Sequence, residues 1–320
     1  VPLGTLLTHP GRATGALTLT VALLLAASSP AATAAHATAG APAPTGPVYG
    51  DTLTDVATWG DHEAAVAGSR EALDLGRRLT HRIVFDPGTG PADYAPAIRA
   101  LSPYSDIMGE IVDSSSTRDY PRARYVARTR RFVERFGNRI DIYEIGNEVN
   151  GEWAGRGAAA KARAAFRVVE AAGHPTALTA YYNPHCFSRR SHAMLPWLRE
   201  HVHAEMRAGL DYVLVSYYER DCHGHRVRRA EMDRVFGALH RLFPDARLGW
   251  GEIGLRRPVR EQTRAVAKHL LTHYYGIKPS HAAVPADQYV TGGFWWFGQQ
   301  DLYPTDKPLW ATFRRAVLAY

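Results

Sequence analysis

Residues 121–147 read PRARYVARTRRFVERFGNRIDIYEIGN, and two periodicities follow one another within them. Tyr125, Val126, Thr129, Phe132, Val133 and Phe136 recur at the three- and four-residue spacing that lines one face of a helix, with arginines on the other. Pro121 opens the segment, where the first turn of a helix tolerates a missing N–H. From residue 140 the pattern changes. IDIYEIGN, at 140–147, is short and rich in Ile and Tyr, as strands buried on both faces tend to be.

That unit repeats in both directions. HRIVF (81–85), DIMGEIV (106–112), TALTAYY (176–182), DYVLVSYY (211–218), RLGWGEIG (247–254) and YVTGGFWWF (289–297) read as further strands, with a weak first one in VYGDTL (48–53). Helical patterns separate them. Over 229–243, Met232, Val235, Phe236, Leu239, Leu242 and Phe243 share a helix face. Strand–helix alternation implies right-handed parallel crossovers. About eight such units in roughly 280 residues predict an α/β fold of the (β/α)₈ (TIM) barrel type, usually ~250 residues long. A doubly wound open sheet is the competing architecture, but no glycine-rich turn follows an early strand.

The chain has 320 residues, and 38 Lys+Arg against 31 Asp+Glu give a formal charge of +7. Apolar residues at 46% and charged ones at 22% are a globular composition. The arginines are spread along the chain without a dense basic block, which argues against a nucleic-acid partner. Residues 1–37 differ from the rest. A single charge, Arg12, precedes the apolar run Leu17–Ala27, and small residues with A-x-A triplets follow. That is the pattern of a secretory signal peptide. A membrane anchor is the alternative, but the run is short of the ~20 residues a span needs. Residues 38–47, with GAPAPTGP, read as a flexible leader, and 48–320 as one catalytic-size domain, secreted and monomeric, with no stable membrane association.

Export affects how Cys186 and Cys222 are read. In an oxidising compartment they can pair; free thiols, or a metal site with His185, His223 and His225, are the alternatives. In a barrel both follow adjacent strands, the fifth and the sixth, which carries them to one rim.

Chemistry in such a barrel belongs where strands end. The fourth strand ends in Gly146-Asn147-Glu148 and the seventh in Gly251-Glu252. A carboxylate at the end of a buried strand is costly unless it has partners or a task. Two of them facing one cleft could break a glycosidic bond, one protonating the leaving oxygen and the other attacking the anomeric carbon or activating water. Salt bridges to the many arginines are the competing explanation.

The local motifs favour the first. YEIGNEVNGEW resembles the fourth-strand signature of glycoside hydrolase clan A, the retaining (β/α)₈ glycosidases. The resemblance implies that Glu148 is the general acid/base, that Asn147 bonds the sugar 2-hydroxyl, and that Glu252, in LGWGEIGLR, is the nucleophile. GGFWWFGQQD is similar to the clan's eighth-strand motif and places the sugar-floor Trp at Trp296. VSYYER supplies Tyr218 as a donor to the nucleophile, with Ser216 where many members have His. HRIVFD offers Arg82 as support for the nucleophile. Trp153, in the loop beyond Glu148, is the aromatic best placed for a sugar face. Asn147, Trp296, Tyr218, Arg82 and Trp153 thus form the expected binding group around the two acids. The resemblance implies a poly- or oligosaccharide substrate and neither a cofactor nor a metal. A carbohydrate-binding barrel without catalysis and a metal-dependent hydrolase are the alternative functions.

Overall fold

A computed structural model describes residues 48–290 and 293–319; the expected signal peptide (1–37) and the whole of the expected leader (38–47) lie outside them. Eight parallel strands close in sequence order into a barrel. They are β1 (Gly50–Leu53), β2 (Leu79–Val84), β3 (Ser105–Glu110), β4 (Ile142–Gly146), β5 (Thr176–Tyr181), β6 (Tyr212–Tyr217), β7 (Arg247–Ile253) and β8 (Phe294–Trp295). Six of the eight stretches singled out by composition contain one of them, and the other two overlap β2 and β3, which begin two residues and one residue earlier. The seam closes where β8 pairs with both β1 and β7. The chain is a (β/α)₈ barrel, as the alternation predicts. The open sheet is excluded by closure.

Two apolar layers account for the packing. Val48, Met108, Ile142, Ala177, Tyr212, Leu214, Val290 and Phe294 fill the barrel's interior. A larger cluster joins the outward strand faces to the helices, with Trp250 packed edge-on against Phe236 and Tyr274. The helix Arg122–Phe136 buries Tyr125, Thr129, Phe132, Val133 and Phe136, as its spacing predicts. It also buries Arg128, which pattern reading assigns to solvent. The carbonyls of Phe85, Asp86, Thr89 and Ile111, at the ends of β2 and β3, have no strand partner, and Arg128 donates to all four at 2.8–2.9 Å. A planar five-donor group suits such a set of converging acceptors. It fixes two rim loops beside the cleft.

Candidate active site

Two irregularities in the sheet position the acids. β6 and β7 pair Val215 with Trp250, then shift so that Ser216 faces Glu252, which leaves Gly251 as an extra residue. Trp250 faces the helices, and strict alternation would send Glu252 the same way. The bulge turns Glu252 into the barrel instead. Residue 251 has no room for a side chain, because a Cβ there would lie 2.6 Å from Leu214 Cβ. On β4, Glu144 and Gly146 face the successive residues Ala177 and Leu178. Beyond that shift, Glu148 takes φ 42°, a left-handed conformation. For a residue other than glycine this costs on the order of 1–3 kcal/mol, and such strain clusters at functional sites.

Beneath Glu252 lies a sealed polar layer. Arg82 donates to Glu144 through Nε at 2.7 Å and Nη2 at 3.1 Å, and to Glu252 Oε2 through Nη1 at 3.0 Å. Glu110 Oε2 is also 3.0 Å from Nη2, within ion-pair reach but not aligned for a hydrogen bond. Burial opposes the Arg82 charge, yet Glu110, Glu144 and Glu252 more than restore it and raise its pKa. Burial, reinforced by Glu144, drives Glu110 well above the carboxylate range even beside Arg82. Arg82 is therefore corrected from the group expected to bind substrate. It is fully buried with its donors engaged, so it supports Glu252 from below.

Glu252 accepts a second hydrogen bond, at 2.5 Å, from the Tyr218 hydroxyl. Burial, Glu252 and Glu148 push the Tyr218 pKa up, so that hydroxyl stays protonated and donates. Glu148 has different partners. Its Oε2 is 2.9 Å from Ser114 Oγ, and its Oε1 meets Ser216 Oγ. Trp153 Nε1 donates to Ser114 at 2.9 Å, and the Trp153 ring meets Tyr181 edge-on at 5.2 Å. Burial lifts Glu148 to about 7, against the lowering effect of the two serines. Burial first and the Glu148 charge second raise Glu252 well above its ordinary value, against Arg82 and Tyr218. Each acid thus lies within the other's field.

Asn147 is buried, and neither its Nδ2 nor its Oδ1 meets a partner among the described residues. A buried amide with four unused hydrogen-bonding positions needs a ligand or water to satisfy it. Trp296 is half-buried, with the Arg82 guanidinium 5.5 Å from its ring. The structure therefore gathers Asn147, Glu148, Trp153, Tyr218, Glu252 and Trp296 at the carboxyl ends of the strands. Neighbouring aromatic and polar side chains serve the scaffold. Trp295 donates to Asp301, Tyr217 packs against Trp250 and Tyr274, and Asn183 bonds the backbone of His192 and Met194.

Sequence reading missed Ser114, Glu110 and Glu144. The last two had a signal, since a glutamate inside an otherwise apolar strand requires a buried partner. Ser114 had none, because its importance lies in the residues it meets.

Cys186 and Cys222 form a disulfide with a Cα–Cα distance of 5.1 Å, joining the loops after β5 and β6. It closes a chain separation of 36 residues, for which loop entropy gives about 4 kcal/mol. Replacing both cysteines by serine is expected to lower unfolding stability by about 2–4 kcal/mol in denaturant titration. An unchanged midpoint would show that the loops are held without the bridge.

The sequence matches no family model and no curated protein. Among solved structures, the β-glucosidase of Thermotoga maritima in complex with cyclophellitol aligns with a TM-score of 0.52, over 79% of this chain and 88% of its own, at 12% identity. The same enzyme in complex with castanospermine aligns at 0.52, over 82% and 90%, at 13% identity. The fold is shared with β-glucosidases. A family 1 β-glucosidase structure from that organism gives 0.51 at 14% identity. At this level of identity the likeness is one of architecture, and the chemistry rests on the site itself.

Proposed function

We infer that the chain is a retaining glycoside hydrolase acting on a poly- or oligosaccharide, with Glu148 as acid/base and Glu252 as nucleophile. The observation that carries this reading is the unequal pair of carboxyls at one barrel mouth. Both oxygens of Glu252 accept from Arg82 and Tyr218, and a guanidinium can only donate. Those partners suit a carboxylate. Glu148 faces two serine hydroxyls, which can donate or accept and therefore tolerate a protonated carboxyl. Burial and mutual repulsion disfavour two negative charges, so the pair holds one proton near neutral pH, as in other buried carboxyl pairs. We place it on Glu148. Glu252 would attack the anomeric carbon while Glu148 protonates the departing oxygen; Glu148 would then take a proton from water to release the sugar.

Asn147 supplies the unsatisfied amide that a sugar hydroxyl would complete, and Trp296 and Trp153 offer flat faces for pyranose rings. The mechanism needs no cofactor, and one chain supplies every group in it. The disulfide and the apolar amino-terminal segment support secretion. Both oxygens of Glu252 are taken by Arg82 and Tyr218, which supports this reading over a metal-dependent hydrolase.

The test is a screen of aryl glycosides, followed by NMR of the first-formed product. Retained anomeric configuration is expected, and an inverted product would assign Glu252 as a base instead. The alkaline limb of kcat/KM should fall near pH 7, because the acid must be protonated and burial holds it at about 7. Above that value the rate should drop about tenfold per pH unit. Glu148→Gln should abolish this limb. It should also stabilise the fold at pH 8 by about 2–3 kcal/mol: a raised carboxyl pKa means that the native state binds the proton more tightly, so native stability is lost as pH rises from ~4.5 through about 7. If the variant is no more stable at pH 8 than the parent protein, Glu148 is not held in a raised state.

A further inference from the structure

We propose that the loops after β6 and β7 form an arginine-lined subsite for an acidic sugar unit, a uronate or a sulfated residue, next to the catalytic pair; this rests on the glycosidase reading above and assigns its substrate class. An open pocket of about 490 Å³ lies between these loops, lined by Arg220, Arg256, Arg257 and Arg260 with Asp221, Leu255, Pro258 and Thr263. Its position ties it to the cleft. Arg220 stands two residues beyond Tyr218, which holds Glu252, and Arg256 two residues beyond Gly254, which sits against Tyr218 and Trp296. The Tyr181 hydroxyl lies in the fields of Glu148 and Glu252 and also of Asp221 and Arg256.

The charge on these loops is not internally balanced. Glu219 is taken by Arg226, with two hydrogen bonds at 2.8 and 3.0 Å, and by Tyr274 at 2.9 Å. Asp221 is taken by Arg256 at 2.5 Å. The guanidiniums of Arg220, Arg257 and Arg260 show no carboxylate partner among the described residues, and Glu261 is the nearest remaining acid along the chain. Three forked donors beside the buried Leu255 and the exposed Pro258 suit a ring bearing a carboxylate or sulfate, because guanidinium groups bind two oxygens of such anions in bidentate fashion. The frame is rigid. Cys222, beside Asp221, is buried and bonded to Cys186, and the Asp221–Arg256 pair ties the two loops together. Such cross-links lower the ordering cost of binding.

The experiment uses the full chain carrying Glu148→Gln, to stop turnover, in calorimetric titration. The probes are a panel of uronate-containing oligosaccharides, each beside its carboxyl-reduced neutral counterpart, together with matched sulfated and unsulfated pairs. The expected result is at least one acidic member bound about tenfold more tightly than its neutral partner, the advantage shrinking in 0.5 M NaCl. Uronate and sulfate pairs report separately which oxyanion is preferred. Arg220→Glu/Arg257→Glu/Arg260→Glu should abolish or reverse the preference, while the corresponding lysine replacements keep part of it and show that the loops are intact. Equal binding of acidic and neutral partners, or a preference that survives the glutamate variant, overturns the subsite and leaves the glycosidase reading standing. Binding of free glucuronate or sulfate as tight as that of the acidic saccharide also overturns it. If no saccharide of either kind binds, the glycosidase reading falls with it.

Discussion

Glu252→Ala is expected to lower kcat/KM by about 10⁴-fold or more, because loss of a nucleophile leaves only binding and the remaining electrostatics. Glu148→Ala should cost less on an aryl glycoside with a good leaving group, about 10²-fold, and about 10⁴-fold on an unactivated disaccharide. The difference is diagnostic, since a poor leaving oxygen depends on protonation and a good one does not. Both proteins should fold. Removing Glu252 leaves Arg82 with Glu144 and Glu110 and relieves a buried charge. Steady-state rates on both substrates, compared with thermal midpoints, check the assignment. Wild-type turnover by both variants would end it, and equal losses on the two substrates would remove the acid role from Glu148.

Arg82→Met carries the second large effect, and this one falls on the fold. Arg82 is the cation that Glu110, Glu144 and Glu252 share in the sealed layer. Its removal leaves buried carboxyls without a counter-charge, a change that costs about 3–5 kcal/mol. For a domain of this size that is a fall of about 10 °C in Tm near neutral pH. The deficit should shrink as pH falls toward 5. Unpaired, buried carboxyls have pKa values above their unfolded ones, so the native state gains stability by taking up protons as pH decreases. Arg82→Met/Glu144→Gln should recover part of the loss at pH 7.5. If the single variant keeps the parent Tm there, the layer is held by packing and not by charge.

The same layer shows how far a reading of the chain reaches. Periodicity located every strand stretch, because burial on both faces of a parallel strand forces short apolar runs, and a helix against a barrel must show an apolar stripe. Asn147, Glu148 and Glu252 were legible because acids and amides are costly at strand ends. Arg82 was legible as a partner of Glu252 but not as fully buried, since its environment is assembled from β3, β4 and β7 as well as its own strand. Arg128 was misread for the same reason. Spacing assigns an arginine to solvent, whereas four carbonyls converging from the loops after β2 and β3 draw it inside.

The sequence by itself determined the class of fold, the two acids and the pair of cysteines. These are properties of local pattern and residue chemistry, which the order of residues specifies directly. Only the tertiary structure decided which way Glu252 points, because the bulge at Gly251 overrides alternation where the β6–β7 register shifts. Only it unites Ser114 and Ser216 on Glu148, leaves Asn147 without a partner, and collects the unpaired arginines beside the cleft. Register, burial and convergence of side chains from different strands arise when the barrel closes, and no window of sequence contains them.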